Sequence, residues 1–295
     1  MDPVFLPPGG GEATSDCADR TVLLLADDER VALTWSRYAV GERGPDPHIH
    51  RRHADAFYVL DGSLVFGLGP RAAETVKAGA GSLVLVPAEV VHTFGNDGPD
   101  EARFLNVHAP GMAFGEYLRA MRDEREEDAA RFDTFDPPAD GGRPASDALV
   151  RGPDEGETIA TGAARTTFKA EGSDGDGTFS LSVTRLLPDF QGPPLHRHKT
   201  FVDCFYVLEG TLTVQIDEDA HDAPAGSFTL LPPGTAHAFS NSGDEPVRAV
   251  NLTAPGGFEQ YEKEAAQAAG DGRPDPQLLA AIASKYDVEV VVQPY

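Results

Sequence analysis

One stretch of this sequence occurs twice, and no other feature constrains the fold as strongly. His48-Ile49-His50, Asp55 and the run Phe57-Tyr58-Val59-Leu60 ending at Gly62 return as His196-Arg197-His198, Asp203 and Phe205-Tyr206-Val207-Leu208 ending at Gly210, each position 148 residues on. Each copy has a downstream companion. Gly81, Pro87, His92 and Asn96 return as Gly226, Pro232, His237 and Asn241 at a spacing of 145, so one intervening loop is three residues shorter. A duplication of this kind divides the 295 residues into two units of like fold.

Within each unit the pattern is that of short strands. Residues 31–38 alternate, with Val31, Leu33 and Trp35 on one face and Ala32, Thr34 and Ser36 on the other; Phe179, Leu181 and Val183 repeat the apolar phase. Further strands are predicted at 55–60, 63–67, 73–77, 82–86 and 103–108, then at 203–208, 211–216, 227–231 and 247–253. Gly/Pro turns punctuate them, which indicates an all-β antiparallel sandwich or barrel in each half. The turns Ala109-Pro110-Gly111 and Ala254-Pro255-Gly256 lead into helices predicted from Phe114 to Ala130 and from Phe258 to Ala268, and a last helix covers 275–285. Residues 1–20 read as irregular, 136–156 as a linker by composition, and Val288–Val292 as an edge strand or dimer contact. The domains are then 1–135 and 157–295.

In a strand, residues two apart share a face, so His48 and His50 project two imidazoles side by side, as do His196 and His198. His92 or His237 on a later strand completes three nitrogens, and Asp55 or Asp203 adds a carboxylate. Imidazole suits Zn, Cu, Fe and Ni, and carboxylate extends the range towards Mn. Three protein ligands with positions left open is the pattern of catalytic rather than structural metal sites.

The paired segments HxH(x)4-acid-(x)6-G and G(x)5P(x)4H(x)3N resemble the two motifs of the cupin superfamily, over roughly residues 20–110 and 165–255. Their duplication resembles a bicupin. The resemblance implies two tandem double-stranded β-helix (jelly-roll) barrels with short helices after each. One divalent transition metal ion (Fe, Mn, Ni, Cu or Zn) would lie in each barrel, held by His48, His50, Asp55 and His92, and by His196, His198, Asp203 and His237. Two departures bear on this. The family's acid is usually Glu, and the shorter Asp either ligates or stands back as a hydrogen-bond acceptor. Pro87-Ala88-Glu89 replaces the Pro-x-Gly turn kept at Pro232-Pro233-Gly234, a change expected to loosen the placement of His92. By family analogy the leading function is that of a quercetinase-like dioxygenase, with Asp203 or Asp55 as ligand or general base and dioxygen as co-substrate. The alternatives are an oxygen-independent isomerase, lyase or decarboxylase, and a non-catalytic cupin that binds a small ligand.

Other residues are weighed on their own chemistry. Phe57, Phe94, Phe205 and Phe239 suit the walls of a pocket for a flat substrate. Arg37 and Arg185 fall in phase with the apolar face, and a buried guanidinium needs a partner, either substrate or an ion pair. His108 reads as core filler or pocket lining, while His53, His221 and the run 123–128 read as solvated. The 48 acidic residues against 24 basic ones, net charge -24, exclude nucleic acid and anionic membrane as partners. Cys17 and Cys204 form no framework, and no basic, apolar leader or ~20-residue apolar span is present, so a cytoplasmic location is expected. Two barrels in one chain suit a monomer and a homodimer equally.

Overall fold

The computed structural model describes residues 2–269 and 275–291. The chain divides into two compact units: residues 11–155 with 174–178, and residues 1–10 and 156–173 with 179–295. Each is a mostly-β barrel built from a seven-stranded sheet and a smaller one.

In the N-terminal unit the large sheet runs Leu149–Arg151, Leu83–Val86, Ala54–Asp61, Ala102–Ala109, Ala32–Tyr38, Arg20–Asp27, Glu12–Asp16, all antiparallel. The small sheet is Glu74–Gly79, Ser63–Leu68 and His92–Gly95. In the C-terminal unit the same order is Val4–Leu6, Phe228–Leu231, Val202–Glu209, Val247–Ala254, Ser180–Leu186, Ala164–Ala170, Glu157–Thr161. Its small sheet joins Asp219–Pro224, Thr211–Ile216, His237–Ser240, His196–Arg197 and Glu289–Val290.

Two readings of the chain ends are thereby corrected. Residues 4–6 are a strand of the C-terminal unit, with Val4 opposite Leu230, and Leu149–Arg151 within the supposed linker is a strand of the N-terminal unit, with Leu149 opposite Leu85. Val4 and Leu149 are again 145 residues apart, so these edge strands belong to the repeat. Three residues are too few to show a period, and their Pro/Gly surroundings hid them. The first helix also ends early, while the second falls where it was expected. α1 is Phe114–Arg122, and the acidic run that was to form its outer face lies beyond it. Carboxylates in a last turn oppose the helix dipole, and Glu124 takes a left-handed conformation there. α2 is Glu259–Ala269 and α3 Pro276–Ala283. The tail residues 289 and 290 are the edge strand beside His196 and Arg197, while residues from 292 lie outside the described part.

The strand phase is the correction with most consequence. Asn106, whose side chain reaches the lumen carboxylate Asp55, pairs with Thr34, and Phe104 pairs with Ser36. The inner face is therefore Thr34, Ser36 and Tyr38, and Leu33, Trp35 and Arg37 point outward. Both faces are covered, with Leu33 and Thr34 each 2% exposed, so alternation alone could not say which faced in. The N-terminal lumen is filled by Tyr38, Phe57, Phe66, Phe94 and Phe104 with Val59, Leu64, Val84 and Val86. The C-terminal lumen holds Leu186, Phe205, Val207, Leu212, Val214 and Leu231, with Phe239 packed against them. Among the described residues no helix is long and apolar enough to cross a membrane.

Candidate metal centres

Strand alternation sets His48 beside His50, and antiparallel bridging sets His48 opposite His92. The imidazole centroids are 5.0 Å (His48–His50), 4.3 Å (His48–His92) and 5.2 Å (His50–His92) apart. The C-terminal trio repeats this at 4.9, 4.5 and 5.2 Å. One ligand atom from each of His48, His50, Asp55 and His92 falls within 4.8 Å of all the others, and so does one from each of His196, His198 and His237. Asp203 stands beside its trio, with Oδ2 3.3 Å from His237 Nε2.

The hydrogen bonds show which nitrogen each ring turns inward. Nδ1 donates to a carbonyl two residues back in His48 (Asp46 O, 2.9 Å), His92 (Val90 O, 3.1 Å), His196 (Pro194 O, 2.9 Å) and His237 (Thr235 O, 3.0 Å). His50 and His198 donate instead to Asp133 O (2.9 Å) and Asp287 O (2.6 Å). With the proton on Nδ1, every Nε2 presents a lone pair to the centre. Nε2 of His50, His198 and His237 is buried without a hydrogen-bond partner among the described residues. Burial ranks first in depressing His48 and His196 to about 4, with neighbouring imidazoles adding to it, so these rings are neutral at pH 7 and need lose no proton to bind a cation. Lone pairs that converge and carry no proton, three of them without a hydrogen-bond partner among the described residues, fit a transition-metal ion in each unit.

His92 is not displaced by the altered turn. Glu89 adopts φ 68°, the left-handed conformation that Gly234 takes with φ 90° in the other unit, and its N–H reaches His50 O at 2.7 Å as Gly234 N–H reaches His198 O. A non-glycine residue there costs ~1–2 kcal/mol. Glu89→Gly is expected to stabilise the N-terminal unit by about 0.5–1 kcal/mol, after glycine's extra unfolded-chain entropy is subtracted. A higher denaturation midpoint at unchanged metal content would show it.

Two clamps escaped the sequence reading. Asp133 Oδ2 accepts the N–H groups of Arg51 and Arg52 (3.1 and 2.8 Å), and Asp287 Oδ2 accepts those of Lys199 and Thr200 (2.8 and 2.6 Å). Both fix the residues that follow the HxH pair. The signal was present as Phe132-Asp133-Thr134 and Tyr286-Asp287-Val288, but at a spacing of 154 that falls outside both motif registers.

His53, read as solvated, is 1% exposed and stacks on His50 at 3.9 Å. It was misread because its neighbours are charged, whereas its own side chain turns into the barrel wall. His221 is half-buried against Phe5. The structure does not bring the two arginines to the centres. Arg37 lies on the outer face, paired with Glu101 at 3.0 Å and bonded to Cys17 O and Ala18 O. Arg185 is exposed between Arg165 and Arg248 in the sheet. The four phenylalanines are brought together in pairs, Phe57–Phe94 at 4.6 Å and Phe205–Phe239 at 5.1 Å.

Glu262 was also missed. Phe258, just before α2, packs on His198 at 5.1 Å, and Glu262, one turn on, shares that face. Burial, then the charges of Asp203 and Glu259, push its carboxyl up to about 8. The corresponding residue behind Phe114 and Tyr117 in the other unit is Leu118.

The family model described as the cupin domain matches residues 34–108 and 182–253, once in each unit. Among curated proteins, uncharacterized protein MJ1618 of Methanocaldococcus jannaschii is 30% identical over 61 residues, 21% of this chain and 49% of that protein, so the chain spans about half the length of the curated relative it matches. Among solved structures, the oxalate decarboxylase of Lactobacillus farciminis in its formate complex superposes with a TM-score of 0.58 at 13% identity, over 88% of this chain and 90% of that one. Ylba from E. coli gives 0.60 at 10% identity over 86% and 90%, and the 7S globulin of Momordica charantia 0.58 at 12% over 86% and 84%. At such identities the likeness is one of fold.

Proposed function

We propose a function from one premise: the chain belongs to the cupin superfamily, with one cupin domain in each half. The function is that of a metal-dependent enzyme acting on a small substrate that offers carboxylate or enolic oxygens. The observation that carries it is the inward, proton-free Nε2 of three imidazoles in each barrel. His48, His50 and His92, with Asp55, would hold one ion; His196, His198 and His237, with Asp203 beside them, the other. A bound divalent ion would supply Lewis acidity to the substrate oxygens.

Several differences favour the C-terminal barrel as the reacting one. At lumen positions in equivalent register, Tyr38, Phe66 and Phe104 are replaced by Leu186, Val214 and Ala249. Three rings are thus exchanged for smaller groups. Ser182, opposite Asn251 on the inner face, has a buried hydroxyl with no partner. Glu262 keeps a proton on its carboxyl near neutral pH. These groups favour an oxygen-independent lyase- or decarboxylase-type reaction. When the bond to the departing carboxylate breaks, its electron pair stays on the substrate carbon, and Glu262 can deliver the proton that carbon takes up. Asp203, held by Asn251, is placed to accept a proton from a substrate hydroxyl.

The dioxygenase reading rests on the Phe205–Phe239 wall, which suits a flat ring. Purified protein loaded in turn with Mn, Fe, Ni, Cu and Zn should be offered small dicarboxylates, 2-oxo acids and flavonols, first without air and then with it. Anaerobic turnover is the expected result. Oxygen consumption at the same site would replace that reading with the dioxygenase. Tight metal binding without any turnover would leave a ligand-binding cupin.

A further inference from the structure

The N-terminal barrel contains a buried hydrogen-bonded chain that has no counterpart among the described residues of the C-terminal barrel. His53 Nδ1 lies 2.8 Å from Asp133 Oδ2, His53 Nε2 lies 3.0 Å from His108 Nδ1, and His108 Nε2 lies 3.0 Å from Asn106 Oδ1. Asn106 then donates from Nδ2 to Asp55 Oδ1 and to Ala56 O. All five side chains are buried, and none of the four linking residues belongs to the His48, His50, Asp55 and His92 cluster.

The direction of every bond is set by its ends. Asp133 Oδ2 already takes two backbone N–H groups, so it accepts from His53. Because the Asn106 amide donates to Asp55, its oxygen must accept from His108. The two rings meet at His53 Nε2 and His108 Nδ1, which joins the two halves of the chain.

In the other unit Phe201 occupies the place of His53, stacked on His198 at 4.0 Å, and Thr253 that of His108, bonded to Ser180 at 2.7 Å. Of the chain, the amide of Asn251 on Asp203 is retained.

We propose that Asp133, His53, His108 and Asn106 are positioning residues whose joint task is to aim the Asp55 carboxylate at the three imidazoles of the N-terminal centre. That centre then holds its metal with a fixed fourth donor, and the C-terminal centre with three imidazoles and more open positions. This rests on the metal reading of both centres given above. The network holds Asp55 with its Oδ2 3.2 Å from His92 Nε2, on the side where the imidazole lone pairs converge. Outer partners of this kind typically change metal affinity by about 10–100-fold when removed.

The test uses the full chain carrying His196→Ala and His198→Ala, so that the N-terminal centre alone is read, with Co2+ as the probe. His53→Phe and His108→Thr, each installing the residue of the other barrel, are expected to weaken Co2+ binding by about 10–100-fold and to change its visible absorption spectrum. His108→Gln, whose amide can still donate to Asn106 Oδ1, should recover most of the affinity. Lower thermal stability with affinity and spectrum unchanged would make the chain mere core structure and overturn the proposal. Should either variant fail to fold, Asn106→Ser, which removes the amide between His108 and Asp55, gives the same reading by affinity and spectrum. A parent chain that binds no Co2+ would bring down the metal reading itself, an outcome distinct from a loss confined to the variants.

Discussion

His237→Ala is expected to empty the C-terminal centre and leave the N-terminal one loaded, taking metal content from about two ions per chain to about one. The reason is geometric. His237 supplies the nitrogen opposite the HxH pair, with its centroid 4.5 Å from His196 and 5.2 Å from His198. Two imidazoles without it form only an edge. Its Nε2 is buried without a hydrogen-bond partner among the described residues, so the metal is what would offset the cost of burying it. The loss of affinity should exceed the ~10–100-fold typical of removing an outer partner, because a direct ligand goes. Truncation also removes the donor to Thr235 O, costing ~1–3 kcal/mol of stability in the metal-free protein. Elemental analysis separates the two effects, since a misfolded unit would show its loss in chelator-treated protein as well. An unchanged count of ions per chain would end the metal reading of this centre. The same substitution at His92 should empty the other centre, although Asp55 leaves a third donor there.

The centres were legible because the residues that build them obey short-range rules. The i, i+2 spacing of His48 and His50 puts both on one face whatever the rest of the chain does. The Gly81-to-Asn96 segment brings back His92 through a strand and a tight turn of fixed length. Even so, Glu89 in place of glycine read as a loosened turn, because sequence does not reveal that the surrounding bonds hold it left-handed. What could not be read depends on distant elements. Asp133 and Asp287 act on residues about 80 to 90 positions earlier, through loops of unlike length. Arg37 and Arg185 were assigned to the lumen by following the apolar phase. A cupin lumen lined by Thr34, Ser36 and Asn106 near a polar centre inverts that rule, and the outer face is buried as well. His53 is a histidine among arginines whose burial only the fold reveals. Glu262 lies on a helix one turn past Phe258, where sequence alone could not distinguish the solvated face from the face over the centre. That one residue changes the order of the two enzyme readings, because the sequence offered no acid for the oxygen-independent one.

Glu262→Gln should therefore have the largest effect on turnover and a diagnostic effect on stability. As a proton donor Glu262 would contribute about 10²–10⁴-fold. The amide keeps the shape and removes the proton, so kcat should fall by that factor with KM and metal content little changed. In metal-free protein the sign of the pH effect follows from the raised value. The folded chain binds this proton more tightly than the unfolded one, whose glutamate titrates near 4.5. The stability is thus fully present below about 4.5 and is lost as pH rises through about 8. A unit is worth about 1.36 kcal/mol, and with the side chain only half-buried and partly screened the loss between pH 5 and pH 8 should be about 2 kcal/mol. The variant, with nothing to ionise there, should lack that slope and be the more stable protein at pH 8. Denaturant midpoints of wild type and variant at the two pH values measure it. A variant with unchanged kcat and an unchanged slope would remove Glu262 from the chemistry, and the reaction would then need its proton from Asp203 or from water. The oxygen-consuming reading, which asks for no acid at that position, would become the stronger one.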